Sequence, residues 1–346
     1  MINAAVLGYG TIGSGVAEII RNRPEVMNKR AGEEIRLKYV LDIREFKGDP
    51  VEDILVHDYN IIMDDADVDI VVETMGGLHP AYEFVKEAIE KGKSVCTSNK
   101  ELVAAYGAEL IELSKKHNVN FLFEASVGGG IPIIRPLNQC LTVDTIEKIS
   151  GILNGTTNYI LTKMTEDGSD FDSVLKEAQE LGYAERNPEA DVEGHDACRK
   201  IAILTSLAYG KQVDYRDIYT EGITKITSED IEYAKSMDAR VKIFGTSKLI
   251  DGKVYAMVAP VMIKRDNPLY GVNDVFNAIS VKGNLLGDVM FYGKGAGKLP
   301  TASAVVSDVV DAVRHKNTNI RIIWDKEKLE LGSFDKCVNR FFVRLG

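Results

Sequence analysis

The chain is poor in several residues that mark common protein classes. It has four cysteines in 346 residues. Cys96, Cys140, Cys198 and Cys337 are scattered without a C-x-x-C pair, which argues against a disulfide framework or a thiolate metal site and suits reduced thiols in a cytoplasmic protein. No apolar run approaches the roughly 18 to 20 residues that a membrane helix needs. The first residues pass directly into the run Asn3 to Leu7, so no removable leader is expected. Positive charge is in deficit, with 42 Lys and Arg against 52 Asp and Glu and a formal net charge of −10. That balance opposes nucleic-acid phosphates and anionic membranes as partners. Low-complexity tracts, internal repeats and Gly-Ser linkers are absent, and only nine prolines occur, which argues against a disordered or solenoid chain. What is present, 45% hydrophobic and 27% charged residues, describes a soluble globular protein long enough for two domains with real cores.

The first half alternates strands and helices. The apolar run Asn3 to Leu7 leads into Gly8, Tyr9, Gly10, Thr11, Ile12 and Gly13, and then into a helical pattern through Ala17, Ile19 and Ile20. This is strand, G-x-G-x-x-G and helix in the order a dinucleotide site requires. Gly8 permits the tight turn, Gly10 lets a pyrophosphate approach the backbone, and Gly13 lets helix and strand pack closely. A second strand, Ile35 to Leu41, ends at Asp42, which is placed either to bind a ribose 2′-hydroxyl or to serve as a polar strand end. Arg44, two positions on, suits a 2′-phosphate, so NAD and NADP both remain open. The polar stretch 22–34 reads as an insertion.

Strands at 69–74, 94–97 and 120–124 and helices at 81–91 and 100–117 continue the alternation and predict a doubly wound parallel α/β sheet. Ligands of such sheets bind beyond the carboxyl ends of the strands. That rule gathers the glycine turn, Thr74 to Gly77, Ser98 to Lys100 and Glu124 to Gly130 around one crevice. Lys100 opposes the positive end of its own helix, so it either faces solvent or serves the nicotinamide end. The segment EASVGGGIPII is either an interdomain hinge or a place where free carbonyls meet a cation beside the Glu124 carboxylate.

In the second half, a strand at 146–153 runs into Asn154-Gly155-Thr156-Thr157-Asn158, which can cap a helix at 159–164 and offer donors to a substrate carboxylate. In GYAERNPEADVEGHDACRK five acidic residues precede Lys200. A helix from Val192 onward puts Asp196 and Lys200 on one face, one turn apart, just before a buried apolar run. A carboxylate beside an ammonium can hold a zwitterion and move a proton, or simply form an ordinary helical ion pair. Later strands at 254–263 and 288–292 precede a second glycine-rich loop, Gly293 to Gly297, ahead of a helix at 302–314.

Taken in order, GYGTIG, TSNKE, EASVGGGIPII, ILNGTTNYIL, GYAERNPEADVEGHDACRK and GDVMFYGKGAGKLPTASAVVSDVVD closely resemble homoserine dehydrogenase over nearly the whole chain. The resemblance implies an N-terminal Rossmann domain plus an α+β substrate and dimerisation domain, with homodimers as the assembly. It implies the reversible NAD(P)-dependent interconversion of L-homoserine and L-aspartate 4-semialdehyde, on the way to threonine and methionine. By this resemblance Lys200 exchanges the proton, Asp196 is the carboxylate beside it, and Lys100 lies near the nicotinamide and the reacting oxygen. Glu185 binds the substrate amino group, with Asp191 nearby, Gly155 toward substrate and Thr156 toward substrate or cofactor. Gly8, Gly10, Thr11, Ile12, Gly13, Asp42, Arg44, Thr74, Ser98, Lys100 and Gly297 contact the cofactor. Glu124, Val127, Gly129 and Ile131 form a sodium site of one carboxylate and backbone carbonyls.

The expected division is 1–130 for the nucleotide, 131–300 for substrate and dimerisation, and 301–346 for a C-terminal helix and tail packing back on the nucleotide-binding part. The ending 339–346 resembles the first strand of a regulatory ACT domain cut short, so feedback by threonine through such a module is expected to be absent.

Overall fold

The computed structural model describes residues 1–333 and 342–343; the resemblance at 339–346 falls largely outside them. In chain order the helices are α1 (Thr11–Asn22), α2 (Pro24–Ala31), α3 (Tyr59–Met63), α4 (Ala81–Glu90), α5 (Lys100–His117), α6 (Ala125–Gly128), α7 (Gly155–Asp167), α8 (Phe171–Glu180), α9 (Glu189–Val192), α10 (His195–Tyr209), α11 (Ser228–Ser236) and α12 (Lys298–Arg314). Strands β1 (Ile2–Leu7), β2 (Ile35–Leu41), β3 (Leu55–Val56), β4 (Val68–Glu73), β5 (Ser94–Thr97) and β6 (Phe121–Leu122) form one parallel sheet in the order β3-β2-β1-β4-β5-β6.

Both faces of this sheet are covered, which is why its strands are apolar at consecutive positions. Ala4, Val6, Ile70 and Val72 pack under α1 and α12, while Ala5, Leu7, Val71 and Val95 pack under α4 and α5. Here α12 reaches back from the far end of the chain to lie on α1, so closely that a side chain on Gly15 would run into Ala302 and Lys298. The doubly wound sheet expected from the sequence is therefore present.

The second sheet is mixed. It runs β13-β12-β7-β10-β11-β9, from β7 (Ile146–Ile152), β9 (Tyr219–Thr220), β10 (Ala239–Ile250), β11 (Lys253–Lys264), β12 (Phe276–Gly283) and β13 (Gly287–Lys294). All pairings in it are antiparallel except β11 with β9. A small parallel pair joins β8 (Lys211–Gln212) to β14 (Asp325–Lys328). Helix α10 carries Ile201, Ile203 and Leu204 into the core that also holds Ile149 and Val241 of the second sheet and Leu102 of α5. Its first turn thus stands where the two sheets' helices meet, and that position makes a buried charged pair there consequential.

Three local differences from the sequence reading have simple causes. The stretch 22–34 contains a helix, α2, because Pro24 opens it and Met27 and Ala31 turn inward. Helix α7 starts at Gly155 because the Asn154 side chain accepts from Thr157 N and caps it. The helix expected from Val192 is broken in two, since Gly194 adopts φ +80° between α9 and α10, a conformation suited to glycine.

Candidate active site

The glycine turn lies at the carboxyl edge of the first sheet. Gly8 has φ +93°, and a side chain on Gly13 would overlap the Gly8 carbonyl. Gly10 is the N-cap of α1, with Thr11 and Ile12 in its first turn, so backbone N–H groups face outward where a pyrophosphate would sit. Thr74, assigned to the cofactor, uses its hydroxyl on the protein itself, donating to Gly8 O at 2.9 Å and to Leu7 O at 3.1 Å. It holds the glycine turn in place.

Asp42 is also engaged. Its carboxylate accepts from Tyr9 N (2.8 Å), from Arg44 N (3.0 Å), and from Arg44 Nε and Nη2 (2.9 Å each). The Arg44 guanidinium holds the Asp42 carboxyl down at about 2. A ribose hydroxyl would share an acceptor that an arginine already chelates, so the two residues read separately from the sequence act as one unit. Because the folded pKa lies below the ordinary 3.8, this carboxylate stabilises the fold in full above about pH 4, and the contribution disappears as pH falls toward 2. With half-exposed Arg44 screening the pair, Asp42→Asn is expected to cost about 1 kcal/mol at neutral pH and almost nothing near pH 2. Urea midpoints of both proteins across that range check it; a gap that stays constant with pH would refute it.

Across the crevice the charged groups converge on one carboxylate. Asp196, 4% exposed, sits in the first turn of α10. Its Oδ2 is 2.6 Å from Lys200 Nζ, one turn along the helix, and its Oδ1 is 3.0 Å from Lys100 Nζ, at the start of α5. Lys200 also donates to Leu153 O at 2.8 Å. Burial alone would raise the Asp196 pKa, but the two ammoniums, with Asn154, hold it well below the carboxylate range. Asp196 in turn raises the pKa of Lys100. The unfavourable placement of Lys100 at its own helix start is thereby explained, because its counter-ion comes from α10.

Asn154, read from the sequence only as a cap, does more. While its Oδ1 caps α7, its Nδ2 donates to Asp191 (2.7 Å) and to Asp196 (3.0 Å). Burial, then the nearby Asp196, pushes the Asp191 pKa up. The Thr156 hydroxyl donates to Tyr183 O at 2.6 Å, so it ties down the segment carrying Glu185 instead of pointing at a ligand. Glu185, exposed at the rim, lines the same cleft as Ser98, Lys100, Gly155, Asp191, Asp196, Lys200 and Gly297.

The sodium assignment fares differently. Glu124 is buried, and its Oε1 accepts from Ile133 N (2.6 Å) and Ile134 N (2.8 Å) while Oε2 accepts from Arg135 N (2.9 Å). Three amide donors on one carboxylate leave it a clamp on the chain after the hinge, so these residues do not fit a cation site that includes the Glu124 carboxylate. Close approach explains the glycines of the hinge, since a side chain on Gly129 would overlap the backbone of Gly295. The loop ahead of α12 therefore closes against the hinge.

The family model described as homoserine dehydrogenase matches residues 132–310, and its NAD-binding domain matches 8–124. The chain belongs to the homoserine dehydrogenase family. The homoserine dehydrogenase of Neisseria gonorrhoeae is 44% identical over 90% of this chain and 72% of its own length, and that of Bacillus subtilis 41% identical over 92% and 74%. Among solved structures, a homoserine dehydrogenase from Thiobacillus denitrificans superposes with TM-score 0.88 at 40% identity, covering 95% of this chain and 79% of the other. A hyperthermophilic archaeal homoserine dehydrogenase in complex with NADPH matches with TM-score 0.75 at 29% identity, over 90% and 97%. Membership of this family makes the chain an oxidoreductase with an NAD(P)-binding domain. No described helix is long and apolar enough to cross a membrane.

Proposed function

We propose that the protein interconverts L-homoserine and L-aspartate 4-semialdehyde with NAD or NADP, and that the observation carrying this reading is the buried carboxylate of Asp196 held between two lysine ammoniums. When bound, the nicotinamide supplies the acceptor for the hydride of the alcohol carbon. Oxidation also requires the hydroxyl proton to leave, and Lys200 takes it as the neutral amine, after losing its own proton, with two N–H bonds directed at Leu153 O and Asp196 and its lone pair left for the substrate. Leu153 O and Asp196 fix the position of its nitrogen. Lys100 stays charged because Asp196 raises its pKa, so it donates a hydrogen bond to the reacting oxygen and does not compete as the base. Asp191 and Glu185 receive the substrate ammonium, and the open N–H groups at Gly155 and Thr156 receive its carboxylate.

The chain divides near residues 130 and 300, acts in the cytoplasm and pairs as a homodimer through the second sheet. Exposed Met290 and Tyr292 on its edge strand β13 support the pairing. A monovalent cation, if held near the hinge, would rest on the carbonyls of Val127, Gly129 and Ile131 without the Glu124 carboxylate. The purified protein is expected to reduce NAD+ or NADP+ with L-homoserine, followed by the absorbance of the reduced cofactor. Reduction with another hydroxy amino acid but none with L-homoserine would overturn the substrate.

A further inference from the structure

Glu73 ends β4 and is completely buried, yet among the described residues no lysine or arginine pairs with it. Its partners are all neutral donors. Oε1 accepts from Met75 N at 2.8 Å and Gly76 N at 3.2 Å, and Oε2 accepts from the Thr97 hydroxyl at 2.5 Å. A carboxylate without a counter-ion is costly to bury, and burial pushes its pKa up. A polar group retained at such a cost inside an apolar sheet calls for a return in geometry.

The return lies in what the three donors belong to. Met75 and Gly76 form the turn after β4, in which Gly76 and Gly77 both have positive φ. Thr97 ends β5, and its Oγ1 accepts from Asn99 N at 2.9 Å. The Asn99 side chain donates to Gly77 O at 2.6 Å and accepts from Leu102 N, capping the helix whose first residue is Lys100. Thr74, the next residue after Glu73, pins the glycine turn. One buried carboxylate therefore closes a loop of bonds joining the turn at 74–77 to the helix start that aims Lys100 at Asp196.

We infer that Glu73 is a positioning residue for hydride transfer, holding the 74–77 turn against the cofactor and, through Thr97 and Asn99, setting where the Lys100 ammonium stands. This rests on the role given to Lys100 above. Glu73→Gln keeps the volume but replaces one carboxylate oxygen with an N–H donor, so the Thr97 hydroxyl must reverse to accept it and the stronger acceptor that gathers Met75 N, Gly76 N and Thr97 is lost while the packing survives.

The test is a double-mutant cycle on the full chain, with the Kd for NAD(P)H followed by fluorescence and kcat followed with L-homoserine. Glu73→Gln is expected to weaken cofactor binding and to lower kcat, each by about tenfold. In a Lys100→Met background the kcat effect of Glu73→Gln should vanish while the Kd effect persists, because the turn is still disturbed but no ammonium remains to misplace. Thr97→Val, which removes the same link from the other side, should reproduce the kcat loss if Glu73→Gln folds poorly. Equal fold-losses of kcat with and without Lys100, or unchanged Kd and kcat in both variants, would overturn the inference. If Lys100→Met alone leaves kcat intact, the role of Lys100 falls, and with it the claim that Glu73 sets its position.

Discussion

Lys200→Met is expected to lower turnover of homoserine by a hundredfold or more while leaving the Kd for NAD(P)H within about threefold of the parent. Methionine retains most of the buried stem, and Asp196 keeps Lys100 and Asn154 as partners, so the fold is preserved and the loss is chemical. Without the group that accepts the hydroxyl proton, the hydride would have to leave the carbon of an alcohol that is still protonated. Turnover within tenfold of the parent, at any pH where the parent is active, would remove Lys200 from its assigned role.

Asp196→Ala should do damage of two kinds. Two ammoniums would lose their shared counter-ion, one of them on a buried residue, and breaking a buried pair from one side is worth about 3 kcal/mol of stability. Partial exposure of the Lys100 side chain, 37%, keeps that figure toward the lower end of the range for such pairs. Catalysis suffers as well. Asp196 is the main cause of the raised Lys100 pKa, so without it Lys100 sheds its proton at a lower pH, and the defect should deepen as pH rises. Denaturant midpoints and a pH profile of kcat measure the two effects separately. An Asp196→Ala enzyme with parental stability and a parallel alkaline profile would contradict the bridging geometry.

Much of the architecture could be read from periodicity. Ile35–Leu41, Ser94–Thr97 and Lys100–His117 occur with the bounds that their apolar patterns suggest, because each has an unambiguous period or a cap beside it. Strand β10 had no such signal. Lys242 interrupts its apolar run, and only the fold reveals that this lysine is buried, donating to Asn158, Val272 O and Asn273. Within the site, the spacing of Asp196 and Lys200 was legible because one helix carries both. Lys100 could be singled out as a misplaced cation, but its partner could not, since a contact between α5 and α10 is created by packing alone. For the same reason the sequence could not show that Asp42 and Thr74, read as cofactor contacts, also bond within the fold. A strand-end polar residue gives no hint in the sequence whether its hydrogen bonds go outward to a ligand or, as here, back to the neighbouring turn.

The return of α12 onto α1 constrains how this protein can be recombined. Val16, Ala17 and Ile20 are covered by Ala302, Val305 and Val309, which are synthesised only after the entire second sheet. Cutting the gene at the hinge would strip that cover and leave a greasy stripe beside the phosphate turn, so the cofactor lobe is not a severable module and cannot be swapped between relatives as a contiguous cassette. A workable chimera must carry both distant segments together.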